Sequence, residues 1–156
     1  MEKETIISIL SEVMDPEIPV LSISDLGILR GIEINGKMIS VYITPTYSGC
    51  PAMNTIQDDI RILLAKHGIE NVEIKQQLSP AWTTEWMTES GKEKLRTYGI
   101  APPSGSCSSN GMDQPEFCPN CHSQKVELIS RFGSTSCKAI YRCLDCLEPF
   151  DYFKCH

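Results

Sequence analysis

Within residues 4–13, Ile6, Ile9, Leu10 and Val13 recur at helical spacing and predict an amphipathic helix. Asp15-Pro16 ends it, because the residue before a proline disfavours the helical region. The run Asp15-Pro16-Glu17-Ile18-Pro19-Val20 then reads as an extended loop, and Ser24-Asp25-Leu26-Gly27 as a turn. The apolar period next falls to two. Segments 28–34 and 38–44 have strand character, and Ile39, Val41 and Ile43 alternate with Ser40, Tyr42 and Thr44, so one face is buried. Asn35-Gly36 between them predicts a type I′ hairpin turn. After a loop over 46–51, Met53, Ile56, Ile60, Leu63 and Leu64 return to helical spacing, from Pro51 until Gly68 stops the helix. Val72 and Ile74, with Gln76, predict a third strand. A loop with Pro80 and Trp82 follows, then a short helix over 89–98. This order predicts an α+β fold, a small α/β sandwich with helices packed on a short mixed sheet.

Residues 99–116 are rich in Gly, Pro, Ser and Asn, which is a linker composition. The expected organisation is therefore a first domain over 1–98, a linker over 99–116 and a cysteine-rich module over 117–156. With 41% hydrophobic and 22% charged residues, the chain has the balance of a folded protein. The net charge of −6 sits mostly in the N-terminal part, and no basic stripe occurs. That argues against nucleic acid and against anionic membrane surfaces as partners. No apolar run approaches the roughly 20 residues that span a bilayer. Met1-Glu2-Lys3-Glu4 is not followed by a signal-peptide core, so a cytoplasmic location is expected. In that reducing setting the eight cysteines read as metal ligands or reactive thiols rather than disulfides.

Cys118-Pro119-Asn120-Cys121 and Cys143-Leu144-Asp145-Cys146 form two C-x-x-C turns separated by 21 residues. Two thiolates two residues apart reach one ion from a tight turn, and a second such turn completes a tetrahedron. The spacing predicts a zinc ribbon, with strands over 126–132, 139–142 and 150–153 and with metal binding supplying much of the folding energy. Iron competes for the same four-sulfur ligand set. Cys137, Cys155 and His156 read as buried thiols and a chain end rather than ligands, and His122 as solvent-facing.

Cys50 stands alone in Gly49-Cys50-Pro51-Ala52-Met53. Pro51 suits a first helical turn, so Cys50 lies at or next to the N-cap. There the helix dipole is expected to lower the thiol pKa. The competing reading is a small buried cysteine at a helix start. His67 lies at the far end of the same helix, so a Cys–His pair is poorly supported. Asp25 and Thr46 meet the thiol only if their loops converge, and each taken alone is a turn-capping type. Trp82, Trp86 and Met87 read as closing the core over the sheet, with an exposed docking surface as the alternative.

Five segments together resemble a known family: Asp15-Pro16-Glu17-Ile18-Pro19, Asp25-Leu26-Gly27, Thr44-Pro45-Thr46, Gly49-Cys50-Pro51-Ala52-Met53 and Pro80-Ala81-Trp82-Thr83. They are similar to the iron–sulfur assembly domain shared by SufT-like and cytosolic iron–sulfur targeting proteins, over about residues 3–98. With the ribbon segments Phe132-Gly133-Ser134-Thr135, Cys137-Lys138-Ala139 and Pro149-Phe150-Asp151-Tyr152-Phe153-Lys154-Cys155, the whole chain is similar to the accessory-subunit family of bacterial phenylacetyl-CoA epoxidase systems. Pro45 departs from the Leu often found there in the wider family. The resemblance implies a maturation factor rather than an enzyme. It implies that Cys50 is the functional thiol, with Asp25 and Thr46 at the family's acidic and threonine positions. It further implies transient coordination of iron or an iron–sulfur cluster, structural zinc in the ribbon, and epoxidase subunits and iron–sulfur assembly proteins as partners. A counterpart thiol from a second subunit would make the working unit a homodimer. One thiolate per chain is too few for a stable four-cysteine cluster, so binding would be weak and transferable. The alternatives are a structural tether within the oxygenase complex and a thiol enzyme acting on acyl-CoA thioesters.

Overall fold

A computed structural model describes residues 1–47, 49–103 and 114–154. They fall into two compact units, Met1–Thr88 and Glu89–His156.

The first unit opens with α1 (Lys3–Leu10), which buries Ile6, Ile9 and Leu10. The helix stops earlier than the apolar spacing predicted. Glu12 and Val13 donate to carbonyls only three residues back, Ile9 and Leu10, and Val13 is buried from this tightened turn. Asp15 then organises the chain around Pro16, since its Oδ1 accepts the N–H groups of Glu17 and Ile18, each at 2.8 Å. The segment expected to be a plain loop is part of the core. Ile18, Leu21, Ile23, Leu26 and Ile28 are all buried.

Strands β1 (Leu29–Asn35) and β2 (Met38–Ile43) pair antiparallel, with Asn35 opposite Met38. The two turn residues are therefore Gly36 and Lys37, one step beyond the expected Asn35-Gly36. Gly36 has φ +62° and Lys37 is not left-handed. A positive φ at the first turn position alone matches type II′, not the predicted type I′. Helix α2 (Ala52–Lys66) crosses to β3 (Val72–Gln76), which runs parallel to β2, so the sheet is mixed with order β1-β2-β3. Met53, Ile56, Ile60 and Leu64 form the buried stripe of α2. Gly68 ends it at φ +79°: its N–H bonds the Ala65 carbonyl and the Ile69 N–H bonds that of Leu64. The α+β architecture expected from the alternating periods is the observed one.

Trp82 and Met87 are buried, and the Trp82 Nε1–H donates to the Leu26 carbonyl at 2.7 Å. Core closure is thus the role of these two residues. Trp86 is half-buried under the Arg30 guanidinium, 3.6 Å from the ring centroid. Gly27 sits beneath it at φ +73°, where a Cβ would come within 2.5 Å of the Trp86 carbonyl oxygen.

The second unit contains α3 (Glu89–Tyr98) and a four-stranded sheet of order β4-β7-β6-β5. Its strands are β4 (Ile100–Ala101), β5 (Val126–Ser130), β6 (Lys138–Cys143) and β7 (Pro149–Phe153). Two differences from the expected organisation stand out. The helix expected to close the first domain lies in the second unit, and the first residues of the expected linker form β4, which pairs with β7 in parallel. Ile100 and Ala101 are apolar and buried, so backbone pairing there is favoured despite the Gly and Pro beside them. Tyr141, Phe150 and Tyr152 centre the small core, with Tyr141 edge-on to Tyr152 at 5.5 Å. Among the described residues, no helix is long and apolar enough to cross a membrane.

Candidate functional site

Two sulfur sites emerge, one in each unit. In the second unit, β6 ends at Cys143 and starts one turn, while the chain before β5 supplies the other. The two turns are built alike. His122 follows the first and Leu147 the second, both left-handed at φ 63° and 65°. Each turn is closed by backbone bonds, Cys118 N–H to Ser123 O at 2.8 Å and Cys143 N–H to Glu148 O at 3.0 Å. Backbone N–H groups also point at sulfur: Asn120 at Cys118, and Asp145 and Cys146 at Cys143, all at 3.4 Å.

This brings the sulfurs of Cys118, Cys121, Cys143 and Cys146 within 4.8 Å of one another. The pairs Cys118–Cys146 and Cys121–Cys143 stand at 3.7 and 3.5 Å. A tetrahedron with metal–sulfur bonds of about 2.3 Å has sulfur–sulfur edges of about 3.8 Å, so the donor set fits a zinc or iron ion. Backbone N–H bonds from Cys146, with one from Asp145, hold the Cys143 thiol down at about 6, against burial. The Glu148 N–H favours the Cys146 thiolate. Burial and hydrogen bonds shared with Cys143, Cys121 and Cys118 outweigh it and push that thiol up to about 12. A cluster without metal therefore keeps protons that a cation must displace. Cys137 is buried with its sulfur 3.0 Å from the Thr135 hydroxyl and is not one of the four, and His122 is exposed. Cys155 and His156 lie outside the described residues.

In the first unit, Cys50 directly precedes Pro51, the N-cap of α2. A turn presents it, with Cys50 N–H bonding Tyr47 O and Met53 N–H bonding Cys50 O, each at 3.3 Å. The half-buried thiol lines a cleft of about 580 Å³ whose walls include Thr44, Thr46, Tyr47, Met53 and Trp82. The expected lowering of its pKa is not what the surroundings produce. Burial pushes the thiol up, and the Glu17 and Asp15 carboxylates add to the push. The Ala52 N–H and the Tyr47 hydroxyl pull the other way without overcoming it. Loss of water around the sulfur outweighs the helix terminus.

Thr46 meets Cys50 in this cleft, and Asp25 does not line it. Asp25 holds its own turn: Oδ2 accepts the Ser22 N–H at 3.1 Å, the Ser22 hydroxyl accepts the Asp25 N–H at 3.0 Å, and its carbonyl accepts the Thr88 N–H. Its neighbour Leu26 is the residue that Trp82 bonds, so the Asp25 turn anchors the wall carrying Trp82. Residue-by-residue reading missed Tyr47, Glu17 and Asp15 as neighbours of the thiol. The Tyr47 hydroxyl donates to Glu17 Oε1 at 3.2 Å, a contact across 30 positions. The only sequence signal was the Asp-Pro-Glu run itself, whose acids read as loop residues.

Residues 102–154 match the family described as the PaaD zinc beta ribbon domain, and residues 3–75 match that described as iron-sulfur cluster assembly protein. The chain is 49% identical over 148 residues to a protein of Escherichia coli (strain K12) provisionally named as a subunit of 1,2-phenylacetyl-CoA epoxidase, covering 95% of this chain and 90% of the relative. The chain belongs to the PaaD family. This PaaD-family chain is also 32% identical to the Fe-S protein maturation auxiliary factor of Porphyromonas gingivalis (strain ATCC BAA-308 / W83), over 60% of its own length and 90% of the relative. Two solved structures share the fold of the first unit. A DUF59 domain from Bacillus anthracis is similar with TM-score 0.56 and 25% identity, over 60% of this chain and 90% of that one. A conserved hypothetical protein from Thermotoga maritima is similar with TM-score 0.52 and 31% identity, over 61% and 94%.

Proposed function

We propose that the protein is an accessory factor of phenylacetate degradation that assists delivery of iron or an iron–sulfur cluster to the phenylacetyl-CoA epoxidase complex. Cys50 is the transfer thiol, Thr46 shapes its cleft, and Asp25 positions the wall opposite. The observation that carries this reading is a lone, half-buried thiol opening into a cleft of about 580 Å³. One thiolate holds iron loosely, which suits a cargo that must leave again. Burial keeps the sulfur protonated until a cation displaces the proton, so an empty site is not an open nucleophile. The names of the relatives, one from the epoxidase system and one a maturation factor, support that client and that task.

An acyl-transfer role draws less support. Among the described residues, the cleft walls hold no imidazole, and of the two carboxylates near the thiol Glu17 accepts the Tyr47 hydroxyl while Asp15 accepts the Glu17 and Ile18 N–H groups. His67 caps the other end of α2, about 22 Å along a 15-residue helix. In the ribbon, zinc held by Cys118, Cys121, Cys143 and Cys146 closes the two turns onto each other and supplies folding energy.

The test replaces Cys50 with Ser and co-expresses the variant with the epoxidase subunits. The variant is expected to keep its fold and ribbon metal while the purified complex loses iron and activity together. Full iron loading of the complex with Cys50→Ser would refute the transfer role. Release of free CoA from an acyl-CoA by the wild-type protein alone would favour the thiol enzyme instead.

A further inference from the structure

The four ribbon sulfurs are not equally protected. Cys118 and Cys143 are fully buried. Cys146 is half-buried and packs against the cluster of Tyr141, Phe150 and Tyr152. Cys121 is exposed. It is also paired at 3.5 Å with Cys143, a thiol that solvent does not reach directly. An exposed sulfur with a buried sulfur at contact distance is the arrangement of an attacked thiol and its resolving partner. A metal-bound thiolate remains nucleophilic, so coordination alone does not remove this reactivity.

We propose that Cys121 is an oxidation site for hydroperoxides, and that its disulfide with Cys143 ejects the ribbon metal. The inference rests on the reading of the cluster as a zinc site. The Cys121 sulfur attacks one peroxide oxygen, forming an S–O bond and breaking the O–O bond. The departing hydroxide takes up a proton and becomes water. The Cys143 thiolate then attacks the Cys121 sulfur, so that an S–S bond forms and the S–O bond breaks. The second hydroxide is protonated in turn. Two thiolates have lost two electrons in all, and one hydrogen peroxide has become two waters. Only Cys118 and Cys146 remain, and two sulfurs do not hold zinc against water and chelator. The ribbon then loses the ion that folds it, and a dithiol reductant with fresh zinc restores it.

The experiment uses the full chain, with metal content measured first. One equivalent of hydrogen peroxide is added beside a chromogenic zinc chelator, and disulfides are mapped by differential alkylation and peptide mass spectrometry. Metal release is expected to keep pace with a Cys121–Cys143 crosslink. A first disulfide that omits Cys121, or release preceding any thiol loss, overturns the proposal. Cys121→His keeps a zinc-binding side chain and removes the exposed sulfur, so release should slow at least about tenfold. Cys137→Ser, which leaves all four clustered sulfurs in place, should release as fast as the wild type. Equal slowing in both variants overturns the proposal. The disulfide map is read whether or not metal is found. Absence of metal therefore overturns the zinc reading, and a crosslink elsewhere overturns this one.

Discussion

The thiol of Cys50 shows how one residue's chemistry departs from its local setting. A helix start argues for a low pKa, yet burial and two carboxylates push it up. Its alkylation at neutral pH should therefore be slower than that of a free cysteine and rise as pH rises past the ordinary thiol range. Tyr47→Phe removes a hydroxyl that favours the thiolate, so the profile should move to higher pH still. Iodoacetamide rates followed by mass spectrometry at Cys50 measure both, and a profile shifted to lower pH would contradict the burial argument. Gly27 is the second residue whose environment decides its identity. Gly27→Ala places a Cβ 2.5 Å from the Trp86 carbonyl oxygen in a left-handed conformation. A loss of at least about 2 kcal/mol in a denaturant melt is expected, since strain and overlap add.

Among elements, α2 begins two residues after the thiol and buries an aliphatic stripe. Ile56, Ile60 and Leu64 are fully buried along one face of this helix. Truncating Ile56 to Ala should cost about 2–5 kcal/mol, as lost transfer energy plus a residual cavity. Because Ile56 stands one turn from Met53 in the cleft wall, the same variant should also speed Cys50 alkylation. Equilibrium unfolding and the alkylation rate are measured together. A stability loss without faster alkylation would show that the cleft is held by the loops rather than by the helix. The Trp82 bond to the Leu26 carbonyl at 2.7 Å is the loop contact that could do so.

For the whole molecule, the two compact units draw on different sources of stability. The first has an aliphatic core spread over α1, α2 and the mixed sheet. The second centres on a few aromatic residues beside four clustered sulfurs. A strong chelator should therefore raise amide exchange in β5, β6 and β7 and leave β1, β2 and β3 protected. Acid should weaken metal binding. Thiols held as high as about 12 at Cys146 must lose protons to bind, so affinity falls as pH falls. Metal titrations across a pH series measure this, and a flat series would contradict it.

Periodicity placed α1, β2 and α2, because each buries one face at a spacing written into consecutive residues, while β1 and β3 were legible as short runs of strand-forming residues. The C-x-x-C pairs announced a metal cluster for the same reason, since each ligand pair is local and only the meeting of the two turns is not. The folded chain decided what depends on distant partners. Tyr47 reaches Glu17 across 30 positions and Trp82 reaches Leu26 across 56. Neither contact leaves a mark on its neighbours in the sequence. The direction of the Cys50 shift, the anchoring role of Asp25, and β4 within a Gly- and Pro-rich stretch all belong to this second class. Hydrophobic spacing specifies which face of an element turns inward; the water and charge that remain around a given atom are settled only when separate segments close over it.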